Sequence, residues 1–370
     1  MLNRELLRCV LAIGLATIPL HAQTITWDVA FGASNPYAAY WGNVGYLQTG
    51  FPIGDLNGDG VQEVGSFMQM LIYDGATGGV FRDGIGGQWG VWTGVGDFNG
   101  DGFDDYSEYS GIAGCPTSCW RIVSGPTGTP LTPTFPGGAN DRPQAVGDVN
   151  GDGYGDFGQV NYVGTVYGWV DVYLGPSMTY YGTVYGLLPY RNWGQTLRTV
   201  GDVTGDGHDD FLVGGDGYWW ASAPPGGVGY VSLISGANLS HVQQWYGTWT
   251  YEKFGRSLHA LGDLDGDGVR DFAIGSLYNT RIVSGGTFAD LYATTNGNQV
   301  IGTMSAVYGV GDLDRDGSAD YVGRRVGEAE LTIFSGRTRL ETWAFSWPFP
   351  VQPGAVTGFP MAQIPVGDID

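Results

Sequence analysis

The sequence predicts an all-β protein folded as a β-propeller, and three observations lead to this fold class. A short acidic motif recurs along the chain at spacings of 42 to 61 residues, close to the ~40–50 residues of one four-stranded blade. Short segments rich in β-branched residues follow each copy and end in glycine, as strands ending in turns do. Glycine contributes 66 of the 370 residues, which suits turns and opposes helices, because each glycine costs a helix about 1 kcal/mol relative to alanine.

Residues 1–22 have the pattern of a secretory signal peptide. Arg4 and Arg8 form a basic start, the apolar stretch Cys9–Leu20 follows, and Ala22 offers a small residue before the predicted cleavage point. This stretch is too short to span a bilayer, which needs about 20 residues, and no later segment is apolar enough. We therefore predict a secreted or cell-surface protein whose propeller domain is residues 23–370, with an uncleaved amphipathic start as the alternative.

Six complete copies of the motif Gly-Asp-x-(Asn/Asp/Thr)-x-Asp-Gly divide this domain. The loops start at Asp55, Asp97, Asp148, Asp202, Asp263 and Asp312. A seventh copy starts at Asp368, where the sequence breaks off, and this suggests a truncated seventh repeat. Strands from residues 24–45 are the alternative means of closing the ring, because an unclosed propeller leaves an open sheet edge.

Each loop carries side-chain oxygen atoms at positions 1, 3, 5 and 9, where position 1 is the first aspartate. Side chains at alternate positions turn toward one centre when the backbone curls, and glycine at position 6 permits the sharp turn. Several hard oxygen ligands at this spacing favour Ca²⁺ over Mg²⁺, which keeps more of its water. An ordinary turn without metal is the alternative for a single copy, but six copies favour metal sites.

The predicted ligands are Asp55, Asn57, Asp59, Glu63, Asp97, Asn99, Asp101, Asp105, Asp148, Asn150, Asp152, Asp156, Asp202, Thr204, Asp206, Asp210, Asp263, Asp265, Asp267, Asp271, Asp312, Asp314, Asp316 and Asp320. Thr204 makes the fourth site the weakest, and the four carboxylates of the fifth and of the sixth loop make those sites the strongest. Asp97–Glu108 also fits a helix–loop–helix calcium loop, but no other copy has an acid at position 12 and the flanks are strand-like. We therefore exclude paired helix–loop–helix units.

These loops resemble the FG-GAP repeats of integrin α-subunit propellers and of many bacterial secreted proteins. Phe254-Gly255, ahead of the fifth loop, matches the opening Phe-Gly pair of that family, and Trp193-Gly194 is a variant of it. The resemblance covers residues 45–370 and implies a seven-bladed propeller with Ca²⁺ in hairpin loops on one face. The chain departs from the family pattern in having six complete loops and no clear Phe-Gly pair in several repeats.

Two cysteines remain after the predicted signal peptide, Cys115 and Cys119. In an exported protein we favour a short-loop disulfide between them over two free thiols. A zinc site is not indicated, because no further cysteine or histidine lies nearby in the sequence.

The composition favours a binding module over an enzyme. Acidic residues outnumber basic ones 37 to 16, and a net charge of −21 repels the phosphates of nucleic acids. The sequence has no Gly-x-Ser-x-Gly and no His-Glu-x-x-His motif. We predict a module that binds an extracellular protein or glycan, with a carbohydrate-active enzyme such as a polysaccharide lyase, or a structural surface protein, as alternatives.

Aromatic clusters suggest where such a partner binds. Tyr218-Trp219-Trp220, Trp245-Tyr246, Trp249 and Tyr251 lie in the insertions 215–230 and 241–254, which we predict to be loops on one face. Their rings suit sugar stacking or protein contact, and packing between blades is the alternative.

Overall fold

The computed structural model describes residues 50–60, 62–66, 71–75, 77, 79–83, 91–110, 119–137, 143–161, 167–188, 193–217, 228–248, 252–276, 280–293, 304–311, 316–325, 330–338 and 340–346. Within these residues the secondary structure consists of strands, without helices, which confirms the all-β prediction. No helix there is long and apolar enough to cross a membrane. The predicted signal peptide, the segment 24–45 and the copy at Asp368 lie outside the described residues.

Blades 1 to 3 are named in chain order, and each has four strands. Blade 1 has β1 (Gly50–Gly54), β2 (Glu63–Ser66), β3 (Leu71–Tyr73) and β4 (Val80–Asp83). Blade 2 has β5 (Val91–Gly96), β6 (Asp105–Ser110), β7 (Cys119–Val123) and β8 (Phe135–Pro136). Blade 3 has β9 (Pro143–Gly147), β10 (Asp156–Asn161), β11 (Trp169–Leu174) and β12 (Thr179–Tyr185).

Blades 4 to 6 repeat the pattern. Blade 4 has β13 (Thr196–Gly201), β14 (Asp210–Gly215), β15 (Tyr230–Ile234) and β16 (His241–Tyr246). Blade 5 has β17 (Ser257–Gly262), β18 (Asp271–Gly275), β19 (Thr280–Val283) and β20 (Asp290–Ala293). Blade 6 has β21 (Met304–Gly311), β22 (Asp320–Arg325), β23 (Glu330–Phe334) and β24 (Glu341–Ser346). Strand β16 shows that the prediction of a loop throughout 241–254 is wrong, because residues 241–246 pair with β15.

Each blade is a four-stranded antiparallel meander in which consecutive strands are neighbours. The first strands pack side by side from blade to blade, β1 against β5, β5 against β9, and so on to β17 against β21. The first strands therefore lie innermost and the fourth strands outermost, as in a propeller. The six sheets correspond to the six complete loops, and a seventh blade stays a prediction.

The hydrophobic core lies between the blades. Five clusters of buried side chains each combine residues of two consecutive blades. In one of them Val170 and Val172 of blade 3 meet Phe211 and Tyr230 of blade 4. A blade that lies between two others has apolar side chains on both faces of its sheet, and these are buried only when a neighbouring blade covers each face. The blades therefore stabilise one another through these contacts.

The residues that border each loop fasten it to this core. Position 2 is buried in the first five loops, at Leu56, Phe98, Val149, Val203 and Leu264, which confirms that it anchors the loop. The aromatic residue after position 9 is buried at Tyr106, Phe157, Phe211, Phe272 and Tyr321. The Phe-Gly pair and its Trp-Gly variant have the same environment. Trp193 and Phe254 are both buried. The N–H groups of Gly194 and Gly255 donate to the carbonyl oxygens of Gly214 and Gly275.

His259 on the inner strand β17 is expected to make the protein sensitive to acid. Burial first, and the charge of Arg198 second, lower the pKa of His259 to about 3. Its pKa in the unfolded chain is about 6.5, so the unfolded state takes up a proton first as the pH falls. Above pH ~6.5 His259 is neutral in both states and does not lower the free energy of unfolding. Between pH ~6.5 and ~3 the free energy of unfolding falls, and at pH 5 the loss is about 2 kcal/mol.

Thermal melting at pH 7.5 and pH 5 measures this effect. His259→Gln should lose less stability than the wild type over that interval. Equal losses in the wild type and His259→Gln would contradict the assignment.

Candidate metal centres

The six acidic loops lie at the same place in every blade, between the first and second strands. They therefore share one face of the propeller. The first five loops are described almost completely, whereas Asp312 and Asp314 of the sixth lie outside the described residues.

In the described loops the backbone wraps around the carboxylate at position 1. In the fifth loop Asp263 Oδ1 accepts the N–H of Gly266 at 2.7 Å and that of Asp267 at 3.1 Å, and Oδ2 accepts the N–H of Gly268 at 2.8 Å. The first four loops repeat these bonds. Gly266 and Gly268 have φ values of 80° and 85°, which side chains rarely adopt. The glycines thus allow the tight curl that the sequence predicts.

The curl gathers the carboxylates of the fifth loop. Oxygen atoms of Asp263, Asp265 and Asp267 lie within 4.8 Å of one another, with Asp265 and Asp267 exposed and Asp263 half-buried. It is the one such group of three acidic, cysteine or histidine side chains found in the described part of the chain. Three carboxylates facing one point repel each other unless a cation lies between them, so the residues fit a Ca²⁺ ion.

The carboxylate at position 9 has a different environment. It is fully buried at Glu63, Asp105, Asp156, Asp210 and Asp271. Asp271 Oδ2 accepts the N–H of Leu264 at 2.7 Å, and its Oδ1 accepts the N–H of Gly285 at 2.9 Å. It therefore ties the loop to the end of the third strand, and four of the other loops make the matching bond to that glycine.

Burial sets the proton affinity of these groups. It raises the pKa of Asp105, Asp156 and Asp271 to about 7 and that of Glu63 to about 8, with smaller increases from the neighbouring acids of the loop. The backbone N–H bonds act in the opposite direction. A bound cation would lower these pKa values by favouring the charged form. Position 9 lies outside the close cluster of Asp263, Asp265 and Asp267, and its role as a metal ligand stays a prediction.

The glycine that ends the third strand is a part of the site that the motif itself does not reveal. A Cβ atom on Gly285 would lie 2.0 Å from the carbonyl oxygen of Arg270, the residue at position 8. Gly125, Gly236 and Gly336 meet the same residue of their own loops at 1.9–2.0 Å. Segments such as RIVSG and LISG indicate a turn, but the reason for glycine is this close approach of the loop backbone.

Hydrogen bonds also join the loops of neighbouring blades. The N–H at position 8 donates to the carbonyl of position 1 in the preceding loop, from Asp104 to Asp55 at 3.0 Å and from Asp209 to Asp148 at 3.0 Å. In both pairs a second hydrogen bond runs in the opposite direction. Asp55 N–H donates to Asp104 Oδ2, and Asp148 N–H donates to Asp209 Oδ2, each at 2.9 Å. The paired aspartates in GDGFDD and GDGHDD are the only sequence signal of these links.

Three further predictions can be compared with the structure. Glu108 lies on strand β6 and forms an ion pair with Arg121 on β7, which agrees with excluding helix–loop–helix units. Cys119 is disulfide-bonded, and its predicted partner Cys115 lies outside the described residues.

The aromatic clusters have mixed outcomes. Trp245 is buried between blades 4 and 5, against Phe272, so it is not a binding platform. Tyr246 is exposed, and its ring stacks on Tyr230 at 6.0 Å. Tyr218, Trp219, Trp220, Trp249 and Tyr251 lie outside the described residues.

Comparison with known proteins agrees with the repeats and the fold. No family model matches the chain. Integrin alpha-8 of Mus musculus is 27% identical over 46% of this chain and 18% of its own length. Integrin alpha pat-2 of Caenorhabditis elegans is 28% identical over 50% of this chain and 18% of its own. The chain thus spans less than a fifth of these relatives, and they confirm its resemblance to the integrin α-like repeats.

A solved structure supports the architecture. The crystal structure of BBS1N in complex with ARL6DN has a TM-score of 0.51 over 83% of this chain and 85% of that chain, at 10% sequence identity. At this identity the likeness concerns the fold alone, and it confirms the β-propeller.

Proposed function

We propose that the chain is a secreted, calcium-binding β-propeller that acts as an extracellular binding or adhesion module for a protein or glycan. The observation that carries the proposal is the cluster of Asp263, Asp265 and Asp267 in a loop whose backbone geometry recurs in five blades. The role of the metal is structural, because the loops fasten the ends of strands and contact one another across blades.

The residues at positions 1, 3 and 5 would hold Ca²⁺ in each loop, completed by a backbone carbonyl at position 7 and the carboxylate at position 9. Hard oxygen atoms in this number suit Ca²⁺. The bound ion would neutralise charge in loops that carry three or four carboxylates each. A chain of net charge −21 would keep a moderate negative charge after six such ions are bound.

Two observations support the extracellular binding role. The first is the similarity to integrin α-subunits. The second is the sequence pattern of residues 1–22, which is typical of export. Glycan-array binding, with turnover assays on acidic polysaccharides, tests the role, because bond cleavage above that of heat-inactivated protein would contradict a pure binding module.

Asp267→Ala is expected to remove one calcium site and leave the others filled, because each loop builds its own ligand set. Calorimetric titration of Ca²⁺ into EDTA-treated, dialysed protein measures the number of sites. Asp290→Ala, which removes an acid of the same blade outside the loop, is the matched control and should keep the wild-type number. An unchanged number in Asp267→Ala, or no saturable binding by the wild type, would contradict the calcium assignment.

A further inference from the structure

One face of blade 3 carries an aromatic row. The register places Phe157 opposite Tyr173, then Gln159 opposite Asp171, then Asn161 opposite Trp169, and these residues share the face because strand side chains alternate. On the outermost strand Thr183 lies opposite Asp171 and Tyr185 opposite Trp169. The row therefore runs from the calcium-loop end of the blade toward the opposite end.

Blade 2 covers only the inner part of this face. Trp120 of blade 2 meets the ring of Phe157 at 6.2 Å, and Phe135 packs into the same cluster. Outside this cluster the outermost strand of blade 3 is open to solvent, since Tyr180 and Tyr185 on β12 are exposed.

The uncovered part is unusually aromatic for a surface. Tyr185 is 62% exposed, Tyr180 56%, Leu187 48% and Tyr167 45%. These are four of the seven large apolar side chains that are exposed in the described part of the chain. The bond from Gly186 N–H to Gly168 C=O continues the pairing beyond Trp169, which brings Tyr167 and Leu187 to the same face. A cluster of this kind with polar groups inside it is typical of a binding surface.

A polar centre lies between the exposed rings. Asp171 accepts hydrogen bonds from Trp169 Nε1 at 3.2 Å and from Thr183 Oγ1. Thr183 also shares a bond of 2.7 Å with the hydroxyl of Tyr180. A carboxylate has about four acceptor sites, so Asp171 can accept further bonds while these hold it in place. Tyr180 and Tyr185 lie opposite Tyr173 and Trp169, which are four residues apart, so their backbone positions differ by roughly 13 Å at a strand rise of ~3.3 Å per residue.

We propose that this face, formed by Tyr167, Trp169, Asp171, Tyr180, Thr183 and Tyr185, binds a neutral glycan. The apolar C–H faces of sugar rings pack on exposed aromatic rings, and sugar hydroxyls donate to a fixed carboxylate. Tyr180 and Tyr185 are far enough apart to contact different sugar units. Asp171 at the centre repels uronate or sulfate groups, and so does the moderate negative charge that the chain keeps when Ca²⁺ is bound, so the glycan is uncharged. The inference rests on the proposed binding function and specifies its partner.

The test uses the full chain loaded with Ca²⁺ and three soluble neutral hexasaccharides, of β-linked glucose, mannose and xylose, against an oligogalacturonate of the same length. Protein fluorescence follows binding, because the face contains tyrosine and tryptophan. At least one neutral hexasaccharide should bind, and the oligogalacturonate should bind more weakly. Tyr185→Ala should lower the affinity for the neutral hexasaccharide about tenfold. The double variant Tyr180→Ala/Tyr185→Ala should abolish its binding.

Tyr246→Ala is the matched control, because it removes another exposed tyrosine, from the outermost strand of the next blade. It should bind like the wild type. Failure of all neutral hexasaccharides to bind folded protein, tighter binding of the oligogalacturonate, or an unchanged affinity in the double variant would each overturn the proposal. A protein that takes up calcium but binds no neutral hexasaccharide would refute this site and leave the calcium-binding module standing.

Discussion

Removal of Ca²⁺ by EDTA is expected to lower the melting temperature of the protein by more than about 10 °C. An ion that binds only the folded state stabilises it by mass action, by ~2.7 kcal/mol for each site at a concentration 100 times its Kd. With several sites filled, even a part of this sum is comparable with the whole stability of an ordinary domain, ~5–15 kcal/mol. The effect is therefore the largest we expect from any single change of conditions.

The charges of the loop face explain the direction of this result. The predicted ligand positions of the six loops hold 20 carboxylates, and in the fifth loop three of them lie within 4.8 Å of one another. Without cations these groups repel, whereas unfolding separates them. Because neighbouring loops are bonded through pairs such as Asp55 and Asp104, loosening of one loop should weaken the next.

Calorimetric melting with excess Ca²⁺, with EDTA, and after return of Ca²⁺ measures the effect. Added NaCl is the control for simple screening of charge, and it should restore only part of the loss. Mg²⁺ at the same concentration should also restore less than Ca²⁺, because it keeps more of its own water. An identical melting curve after verified removal of metal would refute a structural role for calcium.

The sequence was sufficient for the parts of the structure that repeat. Glycines at fixed places, an apolar residue at position 2 and acids at alternate positions predict a curled loop on a buried strand, and the first five loops have this form. Periodicity of this kind is local, so a linear pattern can reveal it. The number of blades is not local, and the segments that would close the ring lie outside the described residues.

Contacts between repeats were much harder to predict. The close approach of Arg270 to Gly285 and the bonds of Asp104 and Asp209 to the preceding loop depend on how strands and blades lie side by side. The aromatic face of blade 3 depends on how much of it blade 2 covers, which no pattern within blade 3 indicates. Conversely, Trp245 has the sequence context of a surface residue and is buried because its side of β16 packs against blade 5, at Phe272.

Asp271→Ala is expected to destabilise the calcium-free protein by about 2–6 kcal/mol, because each of two buried N–H groups left without an acceptor costs ~1–3 kcal/mol. Those groups belong to Leu264 and Gly285, which are bonded to the two oxygens of Asp271. The substitution thus removes the side chain that joins the loop to the third strand, whether or not a metal is present.

Asp265→Ala is the matched control, since Asp265 belongs to the same loop but its carboxylate is exposed. Without calcium it should change stability little, because it also relieves repulsion from Asp263 and Asp267. With calcium both variants should lose the stabilisation that comes from the fifth site, if position 9 is a ligand as the sequence predicts. Denaturant unfolding with and without Ca²⁺ separates the two roles of Asp271. A calcium-free Asp271→Ala protein as stable as Asp265→Ala would show that the buried carboxylate does not hold the loop.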